Sequence, residues 1–178
     1  MLLNIKRIKN DELYKHHKNL NLLSITNLSQ IKQHREGAVC FGKLLKKPIC
    51  IKIIIDYNDQ IPDFKKIIKL QVKASNAKLA VPIYKVFIMK AKDKFVSYII
   101  MKKMHITLRQ KLKMKKCDRN AEIYKLMSLI KRLNKLGIQH RDVHFENIMF
   151  SKSDHKRMYL IDFDGAIESL EQDIVKFI

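Results

Sequence analysis

Glycine and proline are scarce, four and three among 178 residues. No Pro-, Gly- or Ser-rich linker divides the chain, so one domain or two small lobes are expected. Cysteine is nearly missing as well. Cys40, Cys50 and Cys117 are an odd, scattered set. That argues against a disulfide framework and for reduced thiols in a cytoplasmic or nuclear protein. No run of about 18 apolar residues exists, so no membrane span is expected. The opening MLLNIKRIKN lacks an apolar stretch followed by a small-residue cleavage site, so no secretory signal is expected there. Acidic residues are outnumbered. Seventeen Asp and Glu face 37 Lys and Arg, a formal net charge of +20.

Hydrophobic residues make up 47% of the chain, enough to build a core. The positive surface attracts anions such as phosphates, nucleic acid or acidic protein segments. Lys, Ile and Asn are abundant together, the signature of an AT-rich coding sequence, so part of the lysine excess is solvated surface. Direct nucleic-acid binding as the primary role is therefore not favoured.

Residues 1–28 read as a lead-in segment, polar and helix-compatible over 11–28. Ser29–His34, Val39–Leu44 and Ile49–Ile55 read as strands, with turns at Arg35–Gly37 and Lys46–Pro48. Pro62 fits the first position of a helix over 62–76, with Phe64, Ile67, Ile68 and Val72 on one face. Val81–Met89 and Phe95–Lys102 follow as strands. Thr107–Met114 is a short amphipathic stretch. Asn120–Leu136 reads as a helix burying Ile123, Leu126, Met127, Ile130 and Leu133, with Gly137 as its C-cap. Asn147–Phe150 and Met158–Ile161 make a small hairpin. Glu168–Ile178 reads as one more helix. This order predicts an α+β, two-lobed plan with a cleft between the lobes.

The chemistry is concentrated in His140-Arg141-Asp142-Val143-His144-Phe145-Glu146-Asn147 and, past the hairpin, Asp162-Phe163-Asp164-Gly165. Phosphoryl transfer from a nucleotide needs a carboxylate to take the proton of the attacking hydroxyl. It needs oxygen ligands for Mg²⁺ and a cation for the phosphates that stay behind. A loop Asp with an Asn five residues on supplies the base and one ligand. An Asp at the end of the next hairpin supplies another. His140 and His144, four apart, have no third ligand at a useful spacing, which argues against zinc.

These residues resemble the protein-kinase superfamily. HRDVHFEN is similar to the catalytic loop H-R-D-x-x-x-x-N, YLIDFDGA resembles the metal-binding D-F-G segment, and ICIKI resembles the strand of the phosphate-anchoring lysine. The resemblance covers about residues 30–165. It implies ATP and Mg²⁺ as cofactors, Asp142 as base, Asn147 and Asp162 as metal ligands, and Lys52 on the α- and β-phosphates. It also implies Gly37 and Ala38 as the remnant of the glycine-rich phosphate loop, and Met101–Met104 as the adenine-binding hinge. The implied layout is a nucleotide-binding N-lobe with an antiparallel sheet over 29–104 and a minimal helical C-lobe over 105–178. His140 is expected to pack beneath the loop, and Phe163 against the first-lobe helix.

The sequence departs from that pattern in four places. Only Gly37 and Gly42 stand where three glycines are usual. No acidic residue lies between Asp63 and Asp93, so Gln71 is the nearest substitute for the glutamate that pairs with the lysine. The metal motif reads D-F-D-G. Sixteen residues follow Asp162, too few for a peptide-binding helical platform. The expected activity is that of a compact or truncated serine/threonine kinase, of the kind found in large DNA viruses. It would act on proteins that are acidic or nucleic-acid-associated. Two alternatives accompany it. One is a catalytically weak decoy that binds another kinase or its substrate. The other is a small-molecule phosphotransferase of the choline or aminoglycoside type, a group that shares the D-x-H-x-x-N pattern of Asp142, His144 and Asn147.

Overall fold

The computed structural model describes residues 25–34, 37–90, 94–169 and 175–176. They form a mixed α+β protein in two compact units. The first holds the described residues up to Pro62 together with Ile83–Lys103. The second holds Asp63–Pro82 and the described residues from Met104 onward. Among the described residues no helix is long and apolar enough to cross a membrane.

The first unit is one antiparallel sheet. Its strands are β1 (Ile25–His34), β2 (Gly37–Leu44), β3 (Lys47–Tyr57), β4 (Ile83–Lys90) and β5 (Lys94–Lys102). They lie in the order β1-β2-β3-β5-β4. Period-two alternation sets the faces of β3: Ile49, Ile51 and Ile53 are buried, while Cys50, Lys52 and Ile54 are partly covered on the opposite face. The buried set joins Ile25, Ala38, Cys40, Val96, Tyr98 and Ile100 in one apolar cluster. Leu45 and Lys46 make the two-residue β2–β3 turn with φ of 48° and 67°. Positive φ at both positions matches the strand twist that such hairpins need.

The first strand begins earlier than the sequence suggests. Ile25 is fully buried and pairs with Leu44, so residues 25–28 belong to β1 and not to a lead-in. Register shifts between Thr26 and Ile31 break the alternation that would have revealed it. The remainder of the expected lead-in, residues 1–24, lies outside the described residues, as do Arg35 and Glu36 of the first expected turn.

Helix α1 (Ile61–Asn76) connects β3 to β4, and from Asp63 it groups with the second unit. The sequence places this helix within 29–104. The reason for the difference is its apolar continuation. Leu70, Ala74, Leu79 and Ala80 enter the second unit's core. Backbone bonds Val81 N→Leu160 O (3.0 Å) and Leu160 N→Leu79 O (2.8 Å) then fasten the segment after the helix. Its phase also differs from expectation, with Gln71 buried and Val72 exposed.

Helix α2 (Leu108–Leu112) starts at a capping box, in which Thr107 Oγ1 accepts from Gln110 N and Gln110 Oε1 accepts from Thr107 N. Helix α3 (Arg119–Lys135) is capped by Asp118, which accepts from Ala121 N, and ends at Gly137 with φ of 69°. It buries Leu126, Leu129, Ile130 and Leu133. Met127, expected inside, is exposed. Glu122 is buried on the same face as those leucines, in an ion pair with Lys111 (3.1 Å) and Lys125 (2.8 Å).

Short strands complete the unit: β6 (Ile106–Thr107), β7 (Ile138–Gln139), β8 (Val143–His144), β9 (Ile148–Ser151), β10 (Asp154–Leu160), β11 (Ile167–Glu168) and β12 (Val175–Lys176). They pair as β10-β9-β6, β11-β7 and β12-β8. The described tail residues are therefore strand where a helix was expected. Ile167–Glu168 pairs with Ile138–Gln139, and Val175–Lys176 runs parallel to Val143–His144. Exposed backbone edges beside the catalytic loop outcompete a helical turn for these β-branched residues.

Candidate active site

The loop 140–147 and the turn 161–166 converge within the second unit. His140 is fully buried. Its Nε2 lies 2.9 Å from Ile161 O. A carbonyl only accepts, so Nε2 carries the proton. The imidazole meets the ring of Phe163 edge-on, with centroids 4.7 Å apart. His140 thus packs beneath the loop, as expected, and fastens it to the segment carrying Asp162. A second tie is Ile161 N→Asn147 O, 3.0 Å.

Backbone conformation departs from the ordinary at two site residues. Arg141 has φ of 67° and Asp162 φ of 64°. The left-handed region costs a non-glycine residue about 1 kcal/mol or more. Such conformations gather at functional sites; Arg141 immediately precedes Asp142, and Asp162 is itself the second candidate carboxylate.

Asp142 is accessible, its side chain 46% exposed, whereas Asn147 is buried. Asn147 Nδ2 donates to Asp142 O and to Asp142 Oδ2, both at 3.0 Å. Two acceptors at that nitrogen fix the amide's orientation and leave Oδ1 as the atom that could take a cation. An amide oxygen and the carboxylate of Asp162, on segments joined by the Ile161–Asn147 bond, suit a hard cation such as Mg²⁺. Among the described residues no group of three or more His, Cys, Asp and Glu could hold a metal. A cation here would rely on two protein ligands, with phosphate and water completing its shell, which is how Mg²⁺ is usually held.

His144 stands between two carboxylates. Its Nε2 is 3.4 Å from Asp142 Oδ2 and its Nδ1 is 3.2 Å from Glu146 Oε2. Glu146 Oε1 in turn pairs with Arg109 Nε at 2.9 Å. The result is a chain Arg109–Glu146–His144–Asp142 ending on the candidate base. Neither Arg109 nor Glu146 stands out in the sequence. A pair made between a helix and a distant loop leaves no local pattern to find.

The other expected site residues fall as follows. Lys52 lies mid-β3, paired with Val39 and Ile99 and partly buried. Its neighbour Cys50 has its thiol pushed up to about 11, first by burial and further by Cys40, with Lys103 and Lys52 opposing. Burial alone pushes Cys40 up to about 11. Both thiols are therefore protonated at neutral pH and behave as strand hydrophobes. Gly37 pairs with Ile54, and a Cβ there would collide with Ile53 O. Ala38 has its methyl group in the sheet core. Met101 lies at the end of β5, and Met104 opens the second unit. The structure thus brings Asp142, Asn147 and Asp162 together in one unit, while Gly37, Ala38, Lys52 and Met101 belong to the other.

Comparison with known sequences adds one finding. The sequence model of the lipopolysaccharide kinase (Kdo/WaaP) family matches residues 71–175, more than half of the chain. That span includes Asp142, His144, Asn147 and Asp162 and begins after Lys52. A search among curated proteins gives no match.

Proposed function

The chain belongs to the lipopolysaccharide kinase (Kdo/WaaP) family, and from that premise we propose that it transfers the γ-phosphoryl group of ATP, with Mg²⁺, to a hydroxyl group. The observation that carries the reading is the clasp of Asn147 on Asp142. It holds an accessible carboxylate and a ligand oxygen in one rigid turn. Asp142 takes the proton of the acceptor hydroxyl as its oxygen bonds to the γ-phosphorus. The bond from that phosphorus to the β–γ bridging oxygen breaks, and ADP leaves. Asn147 Oδ1 and Asp162 would hold the cation, which neutralises charge on the phosphates. Lys52, a cation set in an otherwise apolar strand, is assigned to the phosphates that are not transferred.

The acceptor in this reading is a saccharide hydroxyl. The family's name supports it, and so does His144 on Asp142, the D-x-H arrangement shared with small-molecule phosphotransferases. A Ser/Thr hydroxyl of a protein is the second reading, favoured by Arg141 immediately before Asp142. The test is transfer of labelled γ-phosphate to a lipopolysaccharide core oligosaccharide and, separately, to casein, with Asp142→Ala as control. Transfer to the saccharide that Asp142→Ala abolishes is expected. Transfer to casein alone would install the second reading. No transfer by folded wild type to either would overturn phosphotransfer and leave a kinase-like binding module.

A further inference from the structure

A concave site lies in the second unit, lined by none of the residues proposed for phosphotransfer. It is a groove of about 500 Å³. Tyr124, Ser128 and Arg132 recur at helical spacing along α3 and form one wall. The β10 residues Lys156 and Arg157 form the other, and Lys78, in the turn after α1, contributes a further cation. Leu129 and Met158 are part of its lining and are themselves buried.

Charge is concentrated here beyond what composition would spread. Five of the ten lining residues are Lys or Arg, against 37 of 178 in the chain. The one carboxylate in the lining is already committed. Asp154 Oδ1 accepts from Lys156 N and Arg157 N, both at 3.0 Å, and its Oδ2 lies 4.0 Å from Arg157 Nε. Lys125 is partly spent on Glu122 at 2.8 Å, and Arg132 donates to Ala77 O at 3.4 Å. Lys78, Lys156 and the outer face of Arg157 remain for a ligand.

Tyr124 decides which anion. The residue is 79% exposed and is part of the lining of this positive groove. The face of an aromatic ring is electronegative and has nothing to offer a carboxylate, whereas a nucleobase stacks on it. A concave groove likewise does not follow a flat bilayer surface. We propose that the groove between α3 and β10 binds single-stranded nucleic acid, with phosphates on Lys78, Lys156 and Arg157 and a base stacked on Tyr124. This site stands independently of phosphotransfer.

Fluorescence anisotropy of the full chain with a labelled single-stranded oligonucleotide of about 12 nucleotides tests it. Tyr124→Ala is expected to weaken binding about tenfold with the salt dependence unchanged. Lys156→Glu with Arg157→Glu is expected to reduce the slope of log K against log salt by about 1.4, the release expected from two phosphates. Lys65→Glu with Lys66→Glu, exposed on α1 outside the groove, is the control for overall charge. The proposal is overturned if that control weakens binding as much as the groove pair, or if Tyr124→Ala binds like wild type. Equal binding of poly-glutamate of the same charge, or no binding by wild type, would overturn it too. Melting curves of each variant establish that it is folded.

Discussion

The β3 region of the first unit and the segment 140–165 of the second are held together by opposite means. In the sheet, regular pairing runs unbroken from Ile49↔Lys102 to Tyr57↔Lys94, and the buried side chains are apolar apart from Ser97. In segment 140–165, β8 and β9 are two and four residues long, and only β10 reaches seven. Val143, Ile148, Phe150, Leu160 and Phe163 anchor it in an apolar core, but its polar groups are set by single contacts: His140 on Ile161, Asn147 on Asp142, and His144 between two carboxylates. Two residues there also sit at positive φ. Apolar area stabilises without specifying direction, whereas hydrogen bonds fix atoms to within tenths of an ångström at little net gain. Substitutions in the sheet should therefore act mainly on stability, and substitutions in the catalytic segment mainly on rate.

The largest expected effect is at Asp142. Asp142→Ala should lower kcat by about 10²–10⁴-fold, the usual contribution of a positioned base. It should cost only about 1 kcal/mol of stability, because Asn147 keeps its bond to the backbone carbonyl. Steady-state kinetics beside denaturant titration would show this, and a large loss of stability would break the contrast. Next comes Ile51→Ala, which empties a site in the sheet core and should destabilise by about 2–5 kcal/mol, read by the same titration. Gly37→Ala should cost about 1–3 kcal/mol, because its Cβ has to displace the Ile53 carbonyl. A Gly37→Ala variant of normal stability and lost activity would instead place Gly37 in the nucleotide site. Smallest is Arg109→Ala. Its pair with Glu146 is half exposed on both sides, so the stability change should be about 0.2–1 kcal/mol. Any larger effect on kcat would show that the chain to His144 positions Asp142.

The buried thiols give the sheet a pH signature of its own. Cys40 and Cys50 ionise at about 11 when folded and near 8.5 when exposed. The unfolded state therefore loses its protons first. The thiol contribution is fully present below about 8.5 and is lost as pH rises toward 11. Denaturant titration across that window should show stability falling, with a shallower fall in the Cys50→Val variant.

Local pattern was enough for much of this molecule. The strand-like composition of Ile49–Ile55 marked the middle of β3, the 3.6-residue recurrence marked α1 and α3, and Gly137 marked the end of α3. HRDVHFEN and IDFD marked the candidate site because the proposed base and ligand residues sit close together in sequence. Features that depend on distant partners were not legible. On α3, Met127 faces out and Glu122 faces in, where it meets Lys111 of another helix as well as Lys125. The described tail pairs as strand because edges at 138–139 and 143–144 are there to receive it. Arg109 reaches Glu146, and Tyr124 comes to lie among cations from three separate elements. The sequence by itself determined most of the central strands and helices and marked 140–165 as the candidate site, because periodicity and motif spacing are short-range. Tertiary structure decided helix phase, the grouping of α1 with the second unit, and the groove beside α3. Those depend on which surfaces and charges meet across long stretches of chain, and that is settled only when the core closes.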